Sequence, residues 1–274
     1  MRYENIQDRS ESDFKRLTGV SRETFDKMLA VVKEQLRDFG RPPKLSREDQ
    51  LLMTLMYWRE YRTQFHISET YGISEAAVCR TITKIEDALA KSGQFRLPGK
   101  KKLQESDTII EVVLVDVSEQ PIERPKKKQR RHYSGKKKRH TQKSQVTINQ
   151  KDLEIVATAF GNGSTHDFQV YKDSGTVLAK QIRCLADAGY QGLAKLHANS
   201  QTPIKKSKLR PLTAEQKTAN RELARQRIVA EHVIRKLKVF RILSERYRNR
   251  RKRFKLRFNL IAAIYNMELH SAKT

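Results

Sequence analysis

The run IIEVVLVDV, residues 109–117, decides the fold. It is rich in β-branched residues, and after Glu111 it is apolar on both alternations up to an acid near its end, Asp116, the pattern of a strand covered on both faces in the middle of a sheet. Two more strand-like runs follow, SQVTINQ (144–150) and LEIVATAFG (153–161), joined by Gln150, Lys151 and Asp152 in a link short enough for a hairpin. HDFQVYKDSG (166–175) reads as a short helix with a break, and IRCLADAGY (182–190) as another buried strand running into a glycine turn. A short strand is expected around Ile204. A long helix then opens on a capping box formed by Thr213 and Gln216 and runs through Ile228, Val233 and Leu237. A last helix carries Phe254, Phe258, Ile261 and Leu269 roughly on one face. This order predicts an α/β unit with a mixed sheet flanked by helices. GNGS at 161–164 is a turn, because it lacks the Lys–Ser/Thr pair of a phosphate loop.

Upstream of LPGKKK (97–102) the periodicity is helical, which sets the expected division at residues 1–97 and 98–274. Residues 10–39 read as helical, with Ser21 as a cap, and FGRPPKL (39–45) as a break. Ser46 caps the next helix, which carries LLMTLMYW. In FHISETYGISEAAVCRTITKIEDAL (65–89) a helix ends at Gly72, and Ser74 caps a second helix whose inner face is Val78, Ile82, Ile85 and Leu89. Helix, tight glycine turn and second helix make a helix-turn-helix. Its groove-facing candidates are Ser74, Glu75, Ala76 and Arg80, with Thr81 and Lys84 nearer the phosphates; an ordinary helical hairpin is the plainer alternative.

The chain has 57 Lys+Arg against 31 Asp+Glu, a formal charge of +26, so its partner is expected to be a polyanion. An anionic membrane surface fits the charge, but no amphipathic anchor or lipidation motif accompanies it. Cys79 and Cys184 stand far apart and form no CxxC pair, which excludes a zinc knuckle. The charged N-terminus lacks the apolar stretch of a signal peptide, and no run is long enough for a membrane span, so the chain reads as cytoplasmic.

Three acids stand out by context. Asp116 and Asp187 end apolar strands, where an unpaired charge is costly, and Glu231 sits mid-helix among Val and Leu positions, from which it can reach the sheet. Acids gathered in this way need a cation between them, and hard oxygen donors suit Mg²⁺ or Mn²⁺, two ions serving phosphoryl displacement. The carboxyls of Asp116 and Asp187 are expected within about 6 Å of a common point, a spacing that oxygen–metal distances allow, with Glu231 free to stand apart when no DNA is bound. The alternatives are a strand-end turn former for Asp116, an Asx turn for Asp187 and a solvated helix residue for Glu231. RPKKKQRRHYSGKKKRHTQK (124–143) holds Lys126, Lys127, Lys128, Arg130, Arg131, Lys136, Lys137, Lys138, Arg139 and Lys143 and no acid, so it is read as a loop or bent ribbon that carries DNA phosphates; a nuclear localisation signal is the alternative. A second basic run spans 235–257. Arg227 and Lys238 lie four residues before and seven after Glu231, on one helix face, fit to bind metal and phosphate together or to form a salt-bridge ladder.

With Asp116 in VLVDVSEQPIERP, Asp187 in LADAGYQG and Arg227, Glu231 and Lys238 in RIVAEHVIRKLK, the chain resembles bacterial insertion-sequence transposases of the DDE type, in the broad IS4/IS5-like superfamily. The arginine–glutamate–lysine spacing is the most specific of these motifs, and RRHYSGKKKRHTQK and the helical head also resemble the family. The resemblance implies an RNase H-like core, two-metal chemistry at Asp116, Asp187 and Glu231, and phosphate contacts from Arg227 and Lys238. It also implies that Tyr190 packs or stacks near the cut site, and that a homodimer acts on two ends of double-stranded DNA. The tyrosine that many relatives place three residues before the arginine is Ala224 here, and the interval from Asp187 to Glu231 is too short for a large β insertion, so the compact IS5-like form is expected. A non-catalytic helix-turn-helix regulator and a domesticated nuclease without strand transfer are the competing functions.

Overall fold

The computed structural model describes residues 1–36, 43–105, 107, 109–206, 211–249 and 251–271. They form two compact units, Met1–Arg96 with Leu237–Thr274, and Leu97–Lys236. Most of the break expected at 39–45, and the end of the helix expected to reach residue 39, lie outside the described residues; the described part of that helix ends at Gln35.

The helical unit contains α1 (Glu11–Thr18), α2 (Arg22–Gln35), α3 (Arg47–Glu60), α4 (Gln64–Tyr71) and α5 (Glu75–Lys91). The side chains of Ser21, Ser46 and Ser74 each accept a hydrogen bond from the backbone N–H three residues on, which satisfies a donor that the helix itself leaves unpaired. α4 ends on Gly72 in the left-handed region (φ +63°), where glycine carries no Cβ penalty, so α5 starts within three residues. Val78, Ile82, Ile85 and Leu89 are fully buried, as the periodicity predicts.

The sheet unit contains β1 (Val112–Pro121), α6 (Gln129–His132), β2 (Tyr133–Ser134), β3 (Arg139–Asn149), β4 (Ile155–Asn162), α7 (Asp167–Asp173), β5 (Arg183–Ala186), β6 (Ser200–Gln201) and most of α8 (Ala214–Leu237). The strand order is β2-β3-β1-β5-β6, with β4 also paired to β3. β1, β3 and β4 are antiparallel neighbours, whereas β5 and β6 run parallel to β1. This is a mixed, RNase H-like sheet flanked by helices. One face, with Val113, Val115, Cys184 and Ala186, packs on Tyr171, Tyr190 and Leu193. The short strand expected around Ile204 is β6, a few residues earlier; the Asn220 side chain instead pairs with both the N–H and the C=O of Ile204, at 2.9 and 3.0 Å. The capping box forms as read, Thr213 and Gln216 bonding reciprocally at 3.2 Å.

The C-terminal segment departs from the expected division. From Leu237 on, including α9 (Phe254–Ser271), it belongs to the helical unit. There α9 buries Phe254, Phe258, Leu260, Ile261 and Ile264, and an ion-pair cluster joins it to α5. Glu86 of α5, 0% exposed, accepts from Arg257 at 2.6 Å, from Arg253 at 2.7 Å and from the Trp58 indole at 3.0 Å. Arg257 also donates to the Tyr247 hydroxyl at 2.9 Å. Burial works against its charge, and Glu86 outweighs that, so the Arg257 pKa is raised. Arg253 and Arg257, which look like phosphate ligands in the basic run 235–257, are tied up in holding α5 to α9.

Candidate functional site

The register of β1 and β5 builds the site. Their last pair is Val115 with Ala186, and one residue further each strand carries an aspartate. Because side chains alternate, Asp116 and Asp187 project from the same sheet face as Leu114 and Leu185, opposite the Val113–Val115 core. Asp116 is enclosed enough that burial pushes its pKa up to about 6; Arg227 and the Val117 N–H pull it down, and the charges of Asp187 and Glu231 push it up. The Arg227 guanidinium stands 3.8 Å from the Asp116 carboxylate, and both side chains are mostly buried, at 16% and 17% exposure. Asp187 is fixed by its own turn: its Oδ1 accepts the Gly189 N–H at 2.8 Å.

Glu231 is exposed on α8, whereas Ala230, Val233 and Leu237 supply the packing. It acts on Asp116 through its charge. Among the described residues no three His, Cys, Asp or Glu side chains are grouped closely enough to hold a metal ion. The sheet thus pairs two of the three expected acids and leaves the third on the helix. Lys238 follows the last residue of α8, so the helix-face argument that placed it with Arg227 does not extend to it. Ile228, expected to pack, is 48% exposed.

The basic segment 124–143 is a short helix and a ribbon. β2 pairs with the start of β3 across a turn at residues 135–138, beyond the Pro121 end of β1, whereas Asp116, expected to close that strand, lies in its middle. Arg130, Arg131, Lys136, Lys137, Lys138 and Arg139 are exposed there. Lys143 is not available to DNA: it lies inside β3, is 7% exposed, and pairs with Asp167 at 2.7 Å and Glu119 at 3.6 Å. Tyr190 does pack beside the second acid, but it is 0% exposed and its hydroxyl donates to Gln145 at 3.0 Å, so no ring face is open to a base. In sequence Lys143 reads as part of the loop because the basic run extends into β3 without a break. Asp167 and Glu119 gave no signal of their own, since their partners are distant in sequence.

In the helical unit Glu75, Ala76, Cys79 and Arg80 are exposed along the start of α5, and Ser74 spends its hydroxyl on the cap. A groove of about 560 Å³ runs beside that helix, lined by Lys44, Arg47, Ala77, Arg80, Thr81 and Lys84.

The family described as DDE superfamily endonuclease matches residues 115–266, and the helix-turn-helix of DDE superfamily endonuclease matches residues 43–95. The chain belongs to the DDE transposase family. It is 51% identical over 272 residues to a probable transposase for insertion sequence element IS702 of Microchaete diplosiphon, covering 98% of this chain and 99% of that one. A putative transposase for insertion sequence element IS112 of Streptomyces albus G is 25% identical over 233 residues, 83% of this chain and 84% of the other. This DDE transposase is therefore an endonuclease of the recombination class with a DNA-binding helix-turn-helix, in the IS4/IS5-like superfamily. No described helix is long and apolar enough to cross a membrane.

Proposed function

We propose that this transposase cuts the ends of its element at Asp116, Asp187 and Glu231 and joins the freed 3′-hydroxyl to target DNA. The observation that carries this reading is the parallel pairing that sets Asp116 and Asp187 on one sheet face, with Asp116 carrying a raised pKa beside other carboxylates. The donor set fits a hard divalent ion: two carboxylates from adjacent strands, and a third on α8 whose charge Asp116 feels. When bound there, Mg²⁺ or Mn²⁺, two ions in the full reading, supplies activation of the attacking oxygen and stabilisation of the leaving one.

The chain's own groups orient and exclude. The Gly189 N–H holds Asp187 in one rotamer. Arg227, now offsetting the charge of Asp116, is placed to transfer its guanidinium to a scissile-strand phosphate, for which its planar fork is suited. Glu75 and Arg80 of α5 are the residues proposed to read the end sequence, and two subunits are proposed to bring two ends together. The exposed ribbon lysines position the backbone and do not specify it. Replacing Lys136, Lys137 and Lys138 together by Gln is expected to reduce the slope of log affinity against log salt by about 3 if each meets one phosphate. An unchanged slope places the DNA elsewhere.

The deciding experiment supplies a pre-cut end with a free 3′-hydroxyl, a supercoiled plasmid and Mn²⁺. Joined product from the parent protein, and none from Asp187→Asn, is the expected result. Cutting of intact ends without any joining would reduce the function to a nuclease.

A further inference from the structure

Behind the candidate site, on the core face of the sheet, lies a chain of buried charges. Glu119 of β1 faces Lys143 of β3 in register, and its carboxylate accepts from Thr141 at 3.0 Å. Lys143 donates to Asp167 at 2.7 Å. The side chains of Lys143, Glu119 and Asp167 are 8%, 10% and 23% exposed. Apolar side chains of similar volume would serve stability at least as well as ion pairs so enclosed, so their use points to a need for position.

That need is visible at Gly189. A Cβ placed on this glycine would lie 2.9 Å from Asp167 Oδ2 and also 2.9 Å from Asp187 Oδ1. Both carboxylates thus crowd the side of Gly189 where a side chain would stand, and its N–H is the donor that orients Asp187. The next residue ties the same turn to the same strand face: Tyr190 donates to Gln145, two residues along β3 from Lys143. The turn carrying Asp187 is therefore bonded to β3 by Gln145 through Tyr190 and packed against Asp167, which Lys143 of the same strand holds.

We infer that Asp167, held by Lys143, is a positioning residue that fixes where the Asp187 carboxylate points, and that Lys143 serves this role instead of contacting DNA. The inference rests on the reading of Asp187 as a cation ligand. Groups that orient a ligand from behind characteristically change metal affinity by about 10- to 100-fold when removed.

The test is direct Mn²⁺ binding to the full chain without DNA, read by the paramagnetic resonance of the free ion, alongside the unfolding midpoint. Asp167→Asn keeps the shape and removes the charge that holds Lys143. Gly189→Ala leaves every charge in place and wedges a methyl group between the two carboxylates. Both are expected to weaken Mn²⁺ about 10-fold with duplex-DNA binding close to that of the parent; the unfolding midpoint falls in Asp167→Asn, which leaves Lys143 only Glu119 at 3.6 Å, and stays close to the parent's in Gly189→Ala, where every charge is kept. Should Asp167→Asn fail to fold, Gly189→Ala carries the test alone. Parental Mn²⁺ affinity in the folded variants, with binding lost in Asp116→Ala, overturns the positioning role and keeps the site. Parental affinity in Asp116→Ala as well overturns the site itself.

Discussion

Asp116→Asn is expected to lower metal-dependent cleavage of element ends by about 1000-fold, on the order of 4 kcal/mol of transition-state stabilisation, while making the metal-free protein more stable at neutral pH. The two effects share a cause. A carboxylate enclosed on the sheet face near Asp187 and Glu231 is a good cation ligand and a poor neighbour when no cation is there. Its pKa is raised from 3.8 to about 6, so the folded protein holds this proton more tightly than the unfolded chain. Stability from the protonated group is fully present below about pH 4 and is lost as pH rises through about 6. Asparagine removes that loss. At pH 8 the gain is expected at about 1–3 kcal/mol, part of it offset because Arg227 loses its partner at 3.8 Å. Urea unfolding of the metal-free variant at pH 8 and pH 4 measures it, and the gain should be absent at the lower pH. A variant that still cuts ends at a tenth of the parental rate or more assigns the chemistry to other residues.

Glu86→Ala should unfold the helical unit more readily than any other single change made at a charged position there, by about 3–5 kcal/mol. Glu86 is 0% exposed and accepts from two arginines and an indole. Without it Arg257, 3% exposed, keeps only the Tyr247 hydroxyl among these partners, and a buried cation left without its anion carries most of the cost. Arg253 loses less, since it retains Asp87 at 2.8 Å. Glu86→Gln keeps the acceptor oxygen for Trp58 and is expected to cost clearly less. Because α5 loses its anchor to α9, end binding should fall with the same variant. An unfolding free energy within 1 kcal/mol of the parent, as an order-of-magnitude threshold for a merely superficial pair, would show that the cluster is not what holds the two helices.

Much of this could be read in the sequence because it is written in local periodicity. The serine caps, the Gly72 turn and the Thr213–Gln216 box each depend on residues within a few positions of one another, and each formed as read. The run at 109–117 gave a central strand but with shifted bounds: β1 is Val112–Pro121, Ile109 is 81% exposed, and Asp116 lies in the middle of the strand because its pairing with β3 continues to Pro121. The two aspartates could be singled out for the same reason: an acid that directly follows a run of apolar strand residues is conspicuous wherever the strand goes, even though β1 runs on past Asp116. The tertiary structure alone decided which charges remain free for a ligand. Lys143, Arg253 and Arg257 look like the lysines and arginines around them, and each is withdrawn from DNA by an acid that is near in space and far along the chain. The same holds for Asp167, which meets the turn of Asp187 only because α7 packs against residues 188–190, and for the arginines after Leu237 that Glu86 binds. Charge is a property of residues, but its pairing is a property of packing. The sequence alone therefore determined a basic helix-turn-helix chain with a mixed sheet and conspicuous acids, and the fold determined which of those charges meet.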